Sequence, residues 1–102
     1  AIATNVAVPN GVVMISPSAT SPGLTDLADN GFFFRTAPSD ARGGQILADI
    51  TKDRKIKSVA ITYTNNDYGK GLADVYEAAV KAHGIKVTAV ASHEDGKADY
   101  TA

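Results

Sequence analysis

Residues 58–92 place two β-branched apolar runs on either side of one amphipathic helix, and this alternation restricts the fold more than any other feature of the chain. Leu72, Val75, Tyr76, Ala79, Val80 and His83 fall at i, i+3, i+4, i+7, i+8 and i+11, which is a single helical face. Asn66 or Asp67 caps the start of the helix, and Gly84 follows its end. Residues 58–64 and 85–92 read as strands. Two strands separated by a helix of this length pair in parallel, so the segment predicts a βαβ unit.

Upstream, the pattern is shorter and more interrupted. Residues 1–8 read as the end of a helix, stopped by Pro9-Asn10-Gly11. Residues 12–15 form a short apolar run, expected as a buried strand of a parallel sheet. Residues 16–26 are rich in Ser, Thr, Pro and Gly and read as a loop, with a helical turn expected over 24–28. Asn30-Gly31 marks a turn before a second, aromatic strand at 32–36, whose Phe32–Phe34 run is expected in the core. Ser39 or Asp40 opens a further helix, with Leu47 and Ile50 or Thr51 on its apolar face. Gly43-Gly44 in its early turns suggests close packing or a loose first turn. The fold class is therefore α/β with a parallel sheet.

Composition removes several classes of function. Ten basic and eleven acidic residues leave a net charge of -1, without the basic footprint of a nucleic-acid or membrane-surface binder. No apolar run approaches the roughly 20 residues needed to span a bilayer. The chain has no Cys, so thiolate metal sites and catalytic thiols are excluded. G-x-G-x-x-G, phosphate-loop and G-x-S-x-G motifs are absent, and neither His has a metal-ligand spacing. His83 is expected to meet the last carbonyls of its helix, and His93 to sit in a solvated turn. No enzyme, metal or cofactor is expected.

In open α/β sheets, ligands bind beyond the carboxyl ends of the strands. Three polar loops occupy that position here, at residues 16–25, 38–40 and 65–70. They offer hydroxyls, main-chain amides, one carboxylate (Asp40) and one phenol (Tyr68) to a common crevice. Each residue also has a plainer reading. Ser18 and Thr20 serve as turn formers, Asp40 as a helix cap, and Tyr68 as a ring packed on the domain edge.

Ser16-Pro17-Ser18-Ala19-Thr20, then Phe34-Arg35-Thr36-Ala37-Pro38-Ser39-Asp40, then Asp67-Tyr68-Gly69 occur in this order at fitting intervals. Together they closely resemble the type I periplasmic solute-binding proteins of ABC transporters, the Leu/Ile/Val-binding family. The resemblance implies a two-lobed α/β fold, with residues 1–37 ending the first lobe and residues 38–102 starting the second. It implies that the loop carrying Ser18, Ala19 and Thr20 holds the α-carboxylate and ammonium of an amino acid. Tyr68 would reach the ligand from the other lobe, and Asp40 would contact the ammonium as in receptor relatives. The implied partners are an amino-acid-like solute and a membrane permease. The implied location is the periplasm, or the outer surface through a lipid anchor. A ligand-sensing receptor domain is the alternative, and a doubly wound enzyme a more distant one.

The family is longer than this chain, which is expected to be an internal fragment; residues 97–102 read as the first turn of a further helix capped by Asp99. A fragment lacks sheet neighbours, so self-association is expected, including a dimer that exchanges elements between copies.

Overall fold

Close spacing of breakers in the first third of the chain allows only short elements there, while the uninterrupted patterns downstream give long ones. The computed structural model of the chain describes residues 1–101. A π-helical turn at Ala3–Ala7 precedes β1 (Met14–Ser16), a 3-10 turn at Pro22–Leu24, and β2 (Phe33–Arg35). Then follow α1 (Asp40–Asp53), β3 (Ser58–Thr64), α2 (Asp67–Ala82) and β4 (Lys86–His93).

The strands form two separate two-stranded parallel sheets. In the first, Met14 lies opposite Phe33 and Ser16 opposite Arg35. In the second, Ser58 lies opposite Lys86 and Thr64 opposite His93, with a register shift between Val59 and Ala60. Both helices have side-chain caps. Ser39 accepts from the Ala41 amide, and Asn66 accepts from the Gly69 amide at 2.8 Å. Each such cap satisfies an amide that the helix leaves unpaired, typically worth about 1 kcal/mol.

The core lies between the helices and the second sheet. Ala48 and Val80 are fully buried and pack with Ile85, surrounded by Val59, Tyr76, Ala79 and Val87. The stripe of α1 that enters this core is Gly44, Ala48 and Thr51: the Thr51 alternative and the close approach at the glycine pair hold, whereas Leu47 and Ile50 stay exposed. Small residues win this face because α2 comes so close: a Cβ on Gly44 would lie 2.5 Å from Val75 Cγ1. Thr51 donates to the Leu47 carbonyl at 2.7 Å, which leaves its oxygen to accept from the Tyr76 hydroxyl at 2.8 Å. The buried polar group is thereby fully paired.

Other expectations also change. β1 begins at Met14, and Val12 and Val13 are exposed, because the chain is still turning out of the first helical segment: the Val12 amide donates to the Ala7 carbonyl. The strand is not buried on both faces, since Ile15 and Phe34 project from a sheet covered on one side. The helical turn expected at 24–28 sits instead at Pro22–Leu24, where proline presets the first residue. His83 does not stay on its own helix end: its Nε2 lies 2.6 Å from Asp49 Oδ1 and ties α2 to α1. His93 is the half-buried last residue of β4. Its ring nitrogens lie 2.9 Å from Thr62 Oγ1 and 3.4 Å from Thr64 Oγ1, and the Tyr100 ring packs edge-on against it. Residues 98–101 are not helical. Asp99 accepts from the hydroxyl and then the amide of Thr101, which together hold its carboxyl below the usual value. Ala102 lies outside the described residues.

Candidate functional site

Parallel pairing sends β1, β2 and β3 into polar loops at their carboxyl ends, and two of these loops face each other. The loop after β1 and the first turn of α2 enclose a cleft of about 760 Å³, with Ser18, Ala19 and Thr20 on one wall and Tyr68 on the other. A Cβ on Gly71 would stand 3.2 Å from Pro22 Cδ, so the two walls meet at this point and fix the depth of the cleft. Ser18 and Tyr68 are exposed, whereas Ala19 and Thr20 are half-buried.

Asp40 does not line the cleft but lies behind it. It takes the Thr20 hydroxyl proton on Oδ2 at 2.7 Å, and its own amide donates to the Thr20 carbonyl at 2.9 Å. These two bonds fix the rotamer of Thr20 and the polarity of its hydroxyl. With its proton committed to a carboxylate, Thr20 Oγ1 offers only lone pairs to the cleft, which suits a cationic donor such as an ammonium. Ser39 caps α1, so the Asp40 carboxylate is not needed for that purpose.

Two residues that the sequence reading did not single out shape the loop. Ser16 Oγ accepts from the Ala19 amide at 3.0 Å and from the Ser18 amide at 3.4 Å, so the Ser18 main chain is already engaged within the protein. Arg35, at the end of β2, spreads its guanidinium under the same loop. Nη1 donates to the Ser21 carbonyl at 2.8 Å and to the Ala19 carbonyl at 3.3 Å, and Nη2 donates to Thr25 Oγ1 at 2.6 Å. A lone arginine closing an apolar strand was the available signal for this role.

On the α2 wall, Lys70 and Asp74 pair at 2.7 Å across one helical turn. The hydrogen bond that Lys70 donates to Asp74, and then the Asp74 charge, hold the Lys70 ammonium above its ordinary pKa. The pair is exposed and its charges cancel, so it adds little field to the cleft. Among the described residues, no group of three His, Asp or Glu side chains is placed to hold a metal ion. No helix among them is long and apolar enough to cross a membrane.

Known proteins share this arrangement of elements. Residues 1–102 match the family described as the receptor family ligand binding region. Leu/Ile/Val-binding protein homolog 3 of Brucella melitensis is 38% identical over 109 residues, covering 99% of this chain and 29% of the relative. Leu/Ile/Val-binding protein BraC3 of Rhizobium johnstonii is 35% identical over 100 residues, covering 97% of this chain and 27% of the relative. The crystal structure of an ABC transporter substrate-binding protein from Desulfitobacterium hafniense in complex with Leu superposes with a TM-score of 0.69. It is 33% identical and covers 88% of this chain and 27% of that one. The chain spans less than a third of the length of the curated relatives it matches. With its parallel α/β units and these relatives, the chain belongs to the receptor-type ligand-binding family that includes the Leu/Ile/Val-binding proteins, and its fold is that of type I periplasmic binding proteins.

Proposed function

We propose that this chain contributes the head-group half of a cleft that captures an amino acid, in the substrate-binding component of an ABC transporter. The protein releases its ligand unchanged to a membrane permease, and it works in the periplasm or tethered by lipid to the outer surface. One observation carries the reading: Thr20, backed by Asp40, lines the same cleft as Tyr68. Thr20 Oγ1 accepts from the ligand ammonium, with the Asp40 charge behind it. The Ser18 and Ala19 amides are held by Ser16 Oγ, so the Thr20 and Ser21 amides of the same loop meet the carboxylate, and Tyr68 closes over the head group from α2. Residues 1–37 then belong to one lobe and residues 38–102 to the other, a division supported by the two sheets sharing no strand. The relatives' names and the leucine-bound neighbour favour an aliphatic, branched ligand side chain.

Titration calorimetry on the full-length protein tests this directly. L-Leucine binds, while its decarboxylated amine and its deaminated acid each bind about 100-fold more weakly, because each loses charge-assisted hydrogen bonds. Equal affinity for all three ligands would remove the head-group role. A ligand-sensing receptor domain is the second reading, favoured by the family's description as a receptor region. Leucine-dependent retrieval of a permease from solubilised membranes separates the two.

Produced alone, the 102-residue chain associates with itself. Ile15 and Phe34 are 66% and 52% exposed on the first sheet, whose edges are also open. Light scattering detects a dimer or larger species, including one that swaps elements between copies; a sharp monomer mass at high concentration contradicts it.

A further inference from the structure

Three successive carbonyls of the loop after β1 are turned into the protein. Those of Ala19 and Ser21 accept from Arg35, and that of Thr20 accepts from the Asp40 amide. No peptide bond in the chain is cis. In a planar trans peptide, the carbonyl and the following N–H point in opposite directions. Drawing the Ala19 carbonyl onto the guanidinium therefore aims the Thr20 N–H away from Arg35, and holding the Thr20 carbonyl on the Asp40 amide aims the Ser21 N–H away from Asp40, which lies behind the cleft. Among the described residues neither amide has a hydrogen-bond partner, while both residues line the cleft. Two adjacent unpaired amides on the cleft wall leave two donors free for an anion. The third carbonyl, that of Ser21, precedes Pro22 and has no N–H on its far side, so the array ends there.

We propose that Arg35 is the positioning residue of this array: it holds the loop so that the Thr20 and Ser21 amides converge on the carboxylate of the bound amino acid. The inference rests on the reading of the cleft given above and adds the group that organises its anion side. Arg35 touches no ligand atom in this scheme. A planar guanidinium suits the task because its fork of fixed donors reaches two carbonyls and a hydroxyl at once, which a lysine ammonium on a flexible stem cannot reproduce. Among the described residues no carboxylate pairs with Arg35, so its charge remains beneath the loop and favours an anion above it.

The test uses the full-length protein with L-leucine as probe, calorimetry for affinity, and amide ¹⁵N–¹H shifts of Thr20 and Ser21 as a local signature. In the wild type both amide signals move on ligand addition. Arg35→Ala weakens leucine binding by about 10- to 100-fold and abolishes the two shifts, as expected when hydrogen bonds to a charged group are lost. Arg35→Lys, which keeps the charge and the bulk, recovers only part of the affinity, and it decides the matter should the alanine variant fail to fold. If Arg35→Lys and Arg35→Ala both bind leucine within about twofold of the wild type with both shifts intact, the positioning role is wrong although the cleft stands. If the wild type binds no amino acid while remaining folded, the cleft reading itself fails and takes this inference with it.

Discussion

Gly69→Ala is expected to lower stability by about 3 kcal/mol, the largest loss from so small a change anywhere in this chain. An ideal Cβ at this position would lie 2.2 Å from the Thr64 carbonyl oxygen and 3.1 Å from the Thr64 nitrogen. Both neighbours are backbone at the end of β3, so no side chain can swing aside to make room. The Gly69 amide also donates to the Asn66 cap, and retreat of the helix would break that bond as well. For a domain of this size, a deficit of about 3 kcal/mol lowers the melting midpoint by roughly 12–20 °C. Gly43→Ala is the matching control. Nothing lies within 4 Å of its Cβ position, and it sits in α1, so helix propensity should make the variant more stable by about 0.5–1 kcal/mol. Thermal melts of the two variants check both statements, and equal midpoints would contradict the close approach of α2 to β3.

Thr20→Val in the full-length protein is expected to weaken amino-acid binding by about 10- to 100-fold with little change in the melt. Valine keeps the shape but removes the oxygen proposed to accept from the ammonium and strips Asp40 of its donor. Asp40→Asn is expected to give a loss of similar size, because the charge behind Thr20 is what favours a cation. The Ser39 cap keeps α1 in place in that variant. Since the two side chains form one hydrogen-bonded unit, the double variant should bind no worse than the weaker single one. Calorimetric titration of the three variants checks this, and fully additive losses would mean that the residues act separately.

Legibility in the sequence followed the length of each pattern. Six residues at helical spacing specify α2, and the run from Ser58 to Thr64 coincides with β3. Near the N-terminus, an apolar run of four residues could not say where pairing begins, because the Val12 and Val13 positions are set by the preceding turn and not by their own propensity. The apolar face of α1 was only partly legible: Thr51 and the close approach at Gly44 hold, but hydrophobicity favoured Leu47 and Ile50 where the distance between helices favoured Gly44 and Ala48. At the site, Thr20 and Tyr68 are far apart in sequence, and the rule that parallel strands present their carboxyl ends together, with the resemblance to the solute-binding family, brought them to one place. The hydrogen bond from Thr20 to Asp40 and the reach of Arg35 depend on side-chain conformation, which no local pattern encodes.

Because β1–β2 and β3–β4 share no strand, the backbone passes between them only through residues 36–39, beside the Thr20–Asp40 hydrogen bonds. On the proposed reading, a small rotation about that crossing would swing Tyr68 relative to the Thr20 loop and leave both ladders intact. On that reading, the pair of side chains assigned to the ligand's cationic end stands beside the crossing, which would couple tightening of that grip to shutting of the cleft.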